Sequence, residues 1–279
     1  MCRWMAWFGQ PVLIEELLFK TPHGIVDQSL HARMGAETTN GDGFGMGWYG
    51  VGERPAIYRS VAPAWNDPNL RELAGHIESP LFMVHVRAAI GSPVQQSNCH
   101  PFRHDRWLFV HNGFIAGFKE LRRDLMLAVD PGLFGDFAGS TDTEVVFALA
   151  LTHGLEEGPI DALARTVALI ERTAGRHGVP DPVQGSFGCS DGESLWAVRY
   201  ASGGGARSLF ASADVDTVRR LQPGNARLQQ LNADDRLIVS EPFSELPGLW
   251  NEIGESSAVT VRRGGVFEER SFEPSAVAA

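Results

Sequence analysis

Met1-Cys2-Arg3 opens the chain. With Met1 removed, one residue carries both a thiol and a free α-amine. An α-amine has a reference pKa of about 7.7–8.0, so near neutrality part of it is an available base. A thiol attacks only as its thiolate, and a base beside the sulfur supplies that form. By itself a cysteine at position 2 is weak evidence, and an incidental thiol near a frayed end is by far the commoner reading. Processing to begin at Cys2 is expected only because the motifs that follow in the chain are those this chemistry would need.

The bulk composition is that of an ordinary enzyme. In 279 residues, 43% are hydrophobic and 21% charged, enough apolar material for a sizeable core. A net charge of −10 argues against nucleic acid and anionic membrane as partners. No apolar run reaches the roughly 18 residues of a membrane span, and Met1–Lys20 lacks the layout of a signal peptide. Cys2, Cys99 and Cys189 include no C-x-x-C pair, so neither a disulfide framework nor a zinc site is expected. A reducing cytoplasm fits that usage.

Short strand-like runs bounded by Gly, Pro, Asn or Asp recur: 44–49, 56–61, 81–86, 107–111, 195–200, 208–212, 236–239, 258–262 and 266–272. Helical spacing appears at Leu70, Leu73, Ala74 and Ile77, and at Phe118, Leu121 and Leu125. Pro159 opens a helix that Gly175 is expected to stop, and Thr141-Asp142-Thr143-Glu144 reads as a capping box. The stretch 201–206, rich in glycine, reads as a flexible hairpin loop. Helices concentrated between strand-rich ends imply an α+β class, expected as one domain over 1–279 with a loose tail at 275–279.

Four further motifs bear on chemistry. Asn40-Gly41-Asp42-Gly43-Phe44-Gly45-Met46-Gly47 is either a tight turn into a buried strand or a loop facing substrate; with no preceding strand or following helix it is no dinucleotide fingerprint. His85-Val86-Arg87 ends an apolar strand, and Arg87 suits either a structural ion pair or forked binding of a carboxylate. Asn98-Cys99-His100-Pro101 follows. In His111-Asn112-Gly113, a side-chain amide and an unhindered backbone N–H are what an oxyanion hole requires, while Asn-Gly is also an ordinary turn. His100 and His111 are candidate bases or structural histidines.

Together, Met-Cys-Arg, Asn-Gly-Asp-Gly-Phe-Gly, His-Val-Arg, Asn-x-His-Pro, His-Asn-Gly and Ser-Thr-Asp-Thr-Glu, in that order, resemble the class II glutamine amidotransferases, a group of N-terminal-nucleophile hydrolases. The likeness is greatest to the stand-alone branch met in fungal glutathione degradation and in the ergothioneine pathway. It is sharp from Cys2 to Phe147 and weaker through Leu209–Ser212 and Val239-Ser240-Glu241-Pro242. The resemblance implies a four-layer αββα sandwich of two antiparallel sheets. It implies Cys2 as nucleophile with its own amine as base, Asn112 and Gly113 as oxyanion hole, Arg87 for the substrate carboxylate and Asp142 for the substrate ammonium. It implies hydrolysis of the γ-amide of glutamine or of a γ-glutamyl compound through a thioester, with no metal or organic cofactor. A separate ammonia-acceptor enzyme is a possible partner, and the alternative is a glutamine-sensing or ammonia-donating subunit active only beside a synthetase. Two departures stand out: Ile90 where many relatives have threonine, and Ala88 where the synthase-linked branch has tryptophan.

Overall fold

The computed structural model describes residues 2–35, 38–89 and 91–275. Met1, Ile90 and 276–279 of the expected tail lie outside the described residues. One antiparallel sheet contains β1 (Arg3–Leu13), β2 (Phe44–Trp48), β3 (Ala56–Ser60), β4 (Glu78–Val86), β9 (Phe210–Ser212), β10 (Arg236–Val239) and β11 (Trp250–Glu252). Its order is β11-β9-β10-β1-β4-β2-β3. The second contains β5 (Phe102–His104), β6 (Trp107–Ile115), β7 (Val183–Ser190), β8 (Ser194–Ala201), β12 (Ser257–Arg262) and β13 (Val266–Ser271). Its order is β13-β12-β8-β7-β6-β5. The helices are α1 (Glu15–Leu18), α2 (Ile25–His31), α3 (Pro68–Ala74), α4 (Phe118–Leu127), α5 (Asp142–Thr152), α6 (Pro159–Arg176) and α7 (Val215–Leu221).

Side-chain alternation builds the layers. Trp4, Ala6 and Phe8 of β1, with Leu81 and Met83 of β4, meet Leu108 and Val110 of β6 between the sheets. Met5 and Trp7, with Phe82, Val84 and Val86, face outward and pack under Leu18, Ile25 and Leu70 of the first three helices. On the far side, Phe109, Phe187 and Val198 pack against Leu121, Leu149 and Leu163 of α4, α5 and α6. The result is the expected αββα sandwich. A strand covered on both faces has no reason to alternate in polarity, which explains why β4 reads as a continuous apolar run.

The glycines of the Asn-Gly-Asp-Gly motif serve packing inside this sandwich. A Cβ on Gly43 would lie 2.7 Å from Cys99 Sγ, one on Gly45 2.1 Å from His100 O, and one on Gly47 2.8 Å from Pro101 Cγ. The segment 99–101 therefore lies directly on the inner face of β2; Phe44–Gly47 of the motif are buried strand, and 40–43 form the loop that enters it, beside Arg87 and Ala89.

Four expectations change. The run 107–111 continues to Ile115, so Asn112-Gly113 is mid-strand and not a turn. The stretch 201–206 is no hairpin, because it carries the chain from β8 in one sheet to β9 in the other. The capping box at α5 is half formed: Thr141 Oγ1 accepts from Glu144 N at 3.2 Å, but the Glu144 carboxylate accepts from Ala138 N and Gly139 N instead of reaching back to Thr141. The glycine after α6 that adopts a left-handed backbone is Gly178, with φ 69°, so the helix passes Gly175 and ends at Arg176.

Gly45→Ala tests the close approach. The obstructing atom is a backbone oxygen held in a packed layer, so overpacking is expected to cost about 2 kcal/mol or more, whereas Gly50→Ala, with nothing within 4 Å, is expected to be silent. Equal urea midpoints for the two variants would contradict this packing.

Candidate active site

Cys2 immediately precedes β1, and alternation carries its side chain to the side of Trp4, toward the space between the sheets. Register sets what it faces just beyond the ladder: Arg3 pairs with Val86 of β4, so Cys2 stands opposite Arg87. The half-buried thiol donates to Ala88 O at 3.5 Å. Burial pushes the Cys2 thiol above its ordinary value; the Ala88 contact and the charge of Arg87 pull it down, and Asp142 pushes it up again. The net shift is upward, so this thiol needs a base to become a nucleophile.

Arg87 and Asp142 bring opposite charges to this thiol. Arg87 is 3% exposed and has no carboxylate partner among the described residues. Its guanidinium donates to Ser92 Oγ at 2.7 Å, to Pro93 O at 3.1 Å and to Asp42 O at 3.4 Å. Those neutral acceptors orient the cation without neutralising it. Asp142 opens α5, where the helix dipole favours a carboxylate. Its Oδ2 accepts from Ile115 N at 2.8 Å and its Oδ1 from Thr143 N at 2.7 Å, which ties the start of α5 to the end of β6.

Asn98, fully buried, joins the two arms. Its Nδ2 donates to Pro93 O at 3.0 Å, the carbonyl that also receives Arg87, and its Oδ1 accepts from Ser140 N at 2.9 Å, just before α5. The sequence singled out Asn98 only as part of a motif; its bridging role depends on two loops distant in the chain.

Asn112 lies on the inner face of β6 and is buried. Its Nδ2 makes a long contact of 3.5 Å to Ser240 Oγ, and its Oδ1 has no hydrogen-bond partner among the described residues. Ser240 Oγ also accepts from Trp4 N at 3.1 Å, and Ser240 N donates to Trp4 O at 2.9 Å. The Trp4 indole donates to Ser186 Oγ of β7 at 3.0 Å. Asn112 is thus linked through Ser240 to the residue two beyond Cys2. Gly113 packs on β7: a Cβ there would fall 2.0 Å from Gln184 O and 2.6 Å from His111 Nε2.

His85, His100 and His111 form a buried cluster. The rings of His85 and His100 are 4.1 Å apart, His111 N donates to His100 Nδ1 at 3.4 Å, and His111 stacks on Phe187 at 4.5 Å. Burial, with Arg87 and His111 as further causes, pushes His85 down to about 3. Burial likewise drives His100 well below its ordinary value and lowers His111, against an opposing pull from Asp142. Neutral rings of this kind pack as core. A cavity of about 930 Å³ on the outer face of the first sheet, lined by Trp7, Leu231, Phe243 and Trp250 among others, contains none of the five expected site residues.

The family model of the class II glutamine amidotransferases matches residues 20–245, and the chain belongs to that family. It is 30% identical over 294 residues to the probable glutamine amidotransferase DUG3 of Saccharomyces cerevisiae, covering 94% of this chain and 82% of that protein. It is 29% identical to the gamma-glutamyl-hercynylcysteine sulfoxide hydrolase of Mycolicibacterium smegmatis, covering 94% of this chain and 96% of the relative. Among solved structures, a glutamine aminotransferase class-II domain protein from Silicibacter pomeroyi superposes with a TM-score of 0.75 at 33% identity, over 98% of this chain and all of that one. The glutamine phosphoribosylpyrophosphate amidotransferase of Bacillus subtilis shares the fold, with a TM-score of 0.63 at 14% identity, over 99% of this chain and 50% of that one. Among the described residues, no helix is long and apolar enough to cross a membrane.

The buried histidines make stability pH-dependent. Unfolded, each titrates near 6.5; folded, each binds its proton only at lower pH. The unfolded chain therefore holds more protons below about pH 6.5, so stability is full above that value and falls as pH drops toward the folded pKa, about 3 for His85. Each histidine contributes up to about 1.4 kcal/mol per pH unit. Urea midpoints are expected to fall steadily from pH 6.5 to 4.5, and a flat profile there would show the rings are protonated in the fold.

Proposed function

We propose that this chain hydrolyses the side-chain amide of L-glutamine or of a γ-glutamyl compound, with Cys2 as nucleophile after removal of Met1. One observation carries the reading: Arg87, a buried cation with no carboxylate partner among the described residues, stands opposite Cys2 in the β1–β4 register, and its charge and that of the partly buried Asp142 both bear on the Cys2 thiol. A γ-glutamyl substrate presents the complementary pair at one end, an α-carboxylate and an α-ammonium, whatever is attached to its γ-amide. The names of the yeast and mycobacterial relatives support both substrate types.

In this reading the Cys2 α-amine takes the thiol proton, which the upward shift of the thiol makes necessary. The thiolate adds to the γ-carbonyl carbon, and its oxygen becomes an oxyanion that Asn112 Nδ2 and Gly113 N–H receive. The C–N bond then breaks. Ammonia or an amine leaves with the proton from the α-ammonium, and a γ-glutamyl thioester remains on Cys2. Water, deprotonated by the amine, attacks the thioester; glutamate leaves and the thiol is restored. The contact to Ala88 uses its carbonyl, so it is independent of the side chain by which Ala88 departs from the synthase-linked branch. A reducing cytoplasm suits a free, partly exposed thiol with this task.

Active protein is expected to begin at Cys2 by intact mass, to gain one adduct there from a γ-glutamyl diazo-ketone, and to lose turnover in Cys2→Ala. Retained Met1 on fully active enzyme would rule the mechanism out.

The glutamyl clamp has its own signature. Arg87→Lys keeps the charge but loses the fork, and Asp142→Asn removes the charge facing the ammonium. Each charge-assisted contact contributes roughly 1.5–3 kcal/mol, so kcat/KM is expected to drop about 10- to 100-fold. The losses should be parallel for glutamine and a γ-glutamyl amine, because the clamp meets only their shared end. Divergent losses would move these residues to the leaving-group side.

A further inference from the structure

Alternation in β1 sends Arg3 to the outer face of its sheet, opposite the thiol of Cys2. There its Nε donates to Glu241 Oε2 at 3.0 Å, and its Nη1 turns back to donate to Cys2 O at 3.0 Å. Glu241 belongs to Val239-Ser240-Glu241-Pro242, the segment just past β10, and is 2% exposed. Its Oε1 also accepts from His23 Nε2 at 2.6 Å and from Arg33 N at 2.9 Å, and its Oε2 from Met34 N at 3.0 Å. The other ring nitrogen of His23 meets Asp27 Oδ2 at 2.8 Å. Gln28 Nε2 secures the same corner by donating to Glu241 O at 3.0 Å and His23 O at 2.9 Å.

Burial alone pushes the Glu241 carboxyl up. The hydrogen bonds from Arg33, His23 and Met34 and the charge of Arg3 more than offset it, so the group is held below the ordinary carboxylate range. An ionised, fully bonded carboxylate in the core is a rigid reference point. Cys2 needs one, because it stands outside the ladder of β1. Its thiol and amine share one Cα, and the plane of its carbonyl decides how that Cα is turned.

We propose that Glu241 is a positioning residue for the reaction: through Arg3 it fixes the Cys2 carbonyl and so aims the thiol and the amine at the substrate. This rests on the reading of Cys2 as the nucleophile. Ser240 acts on the opposite face of the same segment, where its hydroxyl meets Asn112 and Trp4. Consecutive residues of one segment thereby brace both halves of the proposed machinery.

The test is Glu241→Gln in the full chain, with active sites counted by labelling to completion with a γ-glutamyl diazo-ketone. Small misplacements of reacting groups cost up to about 100-fold. The expected result is a fall in kcat per labelled site of about 10- to 100-fold, with KM for glutamine within about twofold, because Arg87 and Asp142 are untouched. Arg3→Lys, too short to span Glu241 and the Cys2 carbonyl together, is expected to shift the same parameter, and it decides the question alone if Glu241→Gln yields no labelled protein. Wild-type kcat per labelled site in a folded variant, with only a lowered melting temperature, would reduce Glu241 to a structural brace and overturn the proposal. Turnover surviving in Cys2→Ala would instead overturn the nucleophile reading, and this inference with it.

Discussion

The pairing of β1 with strands on both sides is the constraint on which the rest depends. Arg3 to Phe8 pair with β4, and Met5 to Phe8 with β10. β1 lies at the centre of a seven-stranded sheet. Register then does the positioning. With Arg3 opposite Val86, the residue before the strand stands opposite the residue after β4, which brings Cys2 to Arg87. A slip of one residue would exchange every inner and outer side chain of β1, putting Trp4 among the helices and Arg3 into the apolar space between the sheets.

Much of the fold was legible, and the gaps have physical causes. The strands at 44–48, 236–239 and 257–262 and the helix from Pro159 follow from punctuation and spacing. β1 went unread because Arg3-Trp4-Met5-Ala6-Trp7-Phe8 has no alternation, being covered on both faces. β7 was missed for the opposite reason: Val183-Gln184-Gly185-Ser186-Phe187-Gly188 is rich in small residues, a poor strand signal. The structure explains them, since a Cβ on Gly185 would lie 2.4 Å from His111 Nε2 and one on Gly188 2.9 Å from the Trp4 ring. Such demands come from other parts of the chain. The layered arrangement itself came from resemblance, not from periodicity.

The candidate residues of the proposed site were legible, but their supports were not. Cys2, Arg87, Asn112 and Gly113 stand out by chemistry within their motifs, whereas Asp142, taken alone, reads as a helix-cap residue and takes its proposed role from the resemblance. Asn98, Ser240 and Glu241 do not stand out, because a buried amide, hydroxyl or carboxylate becomes meaningful only through its partners. Arg3 and Glu241 are 238 residues apart in the chain, and Asn98 and Ser140 are 42 apart. No local window holds either pair. The supports also divide by face: one set links the loops that carry Arg87 and Asp142, and the other holds the start of β1 from behind.

Trp4 has a consequence for how the molecule opens. Its backbone joins β4 and Ser240, its indole N–H reaches Ser186 of the other sheet, and its ring lies on Gly188. Chain ends usually fray, opening at almost no free-energy cost long before the core does. Here the first strand cannot peel away without breaking buried bonds in both sheets at once. The opening that frees β1 is then the global one, so the segment beside Cys2 shares the lifetime of the whole fold, and partial unfolding elsewhere leaves it in place.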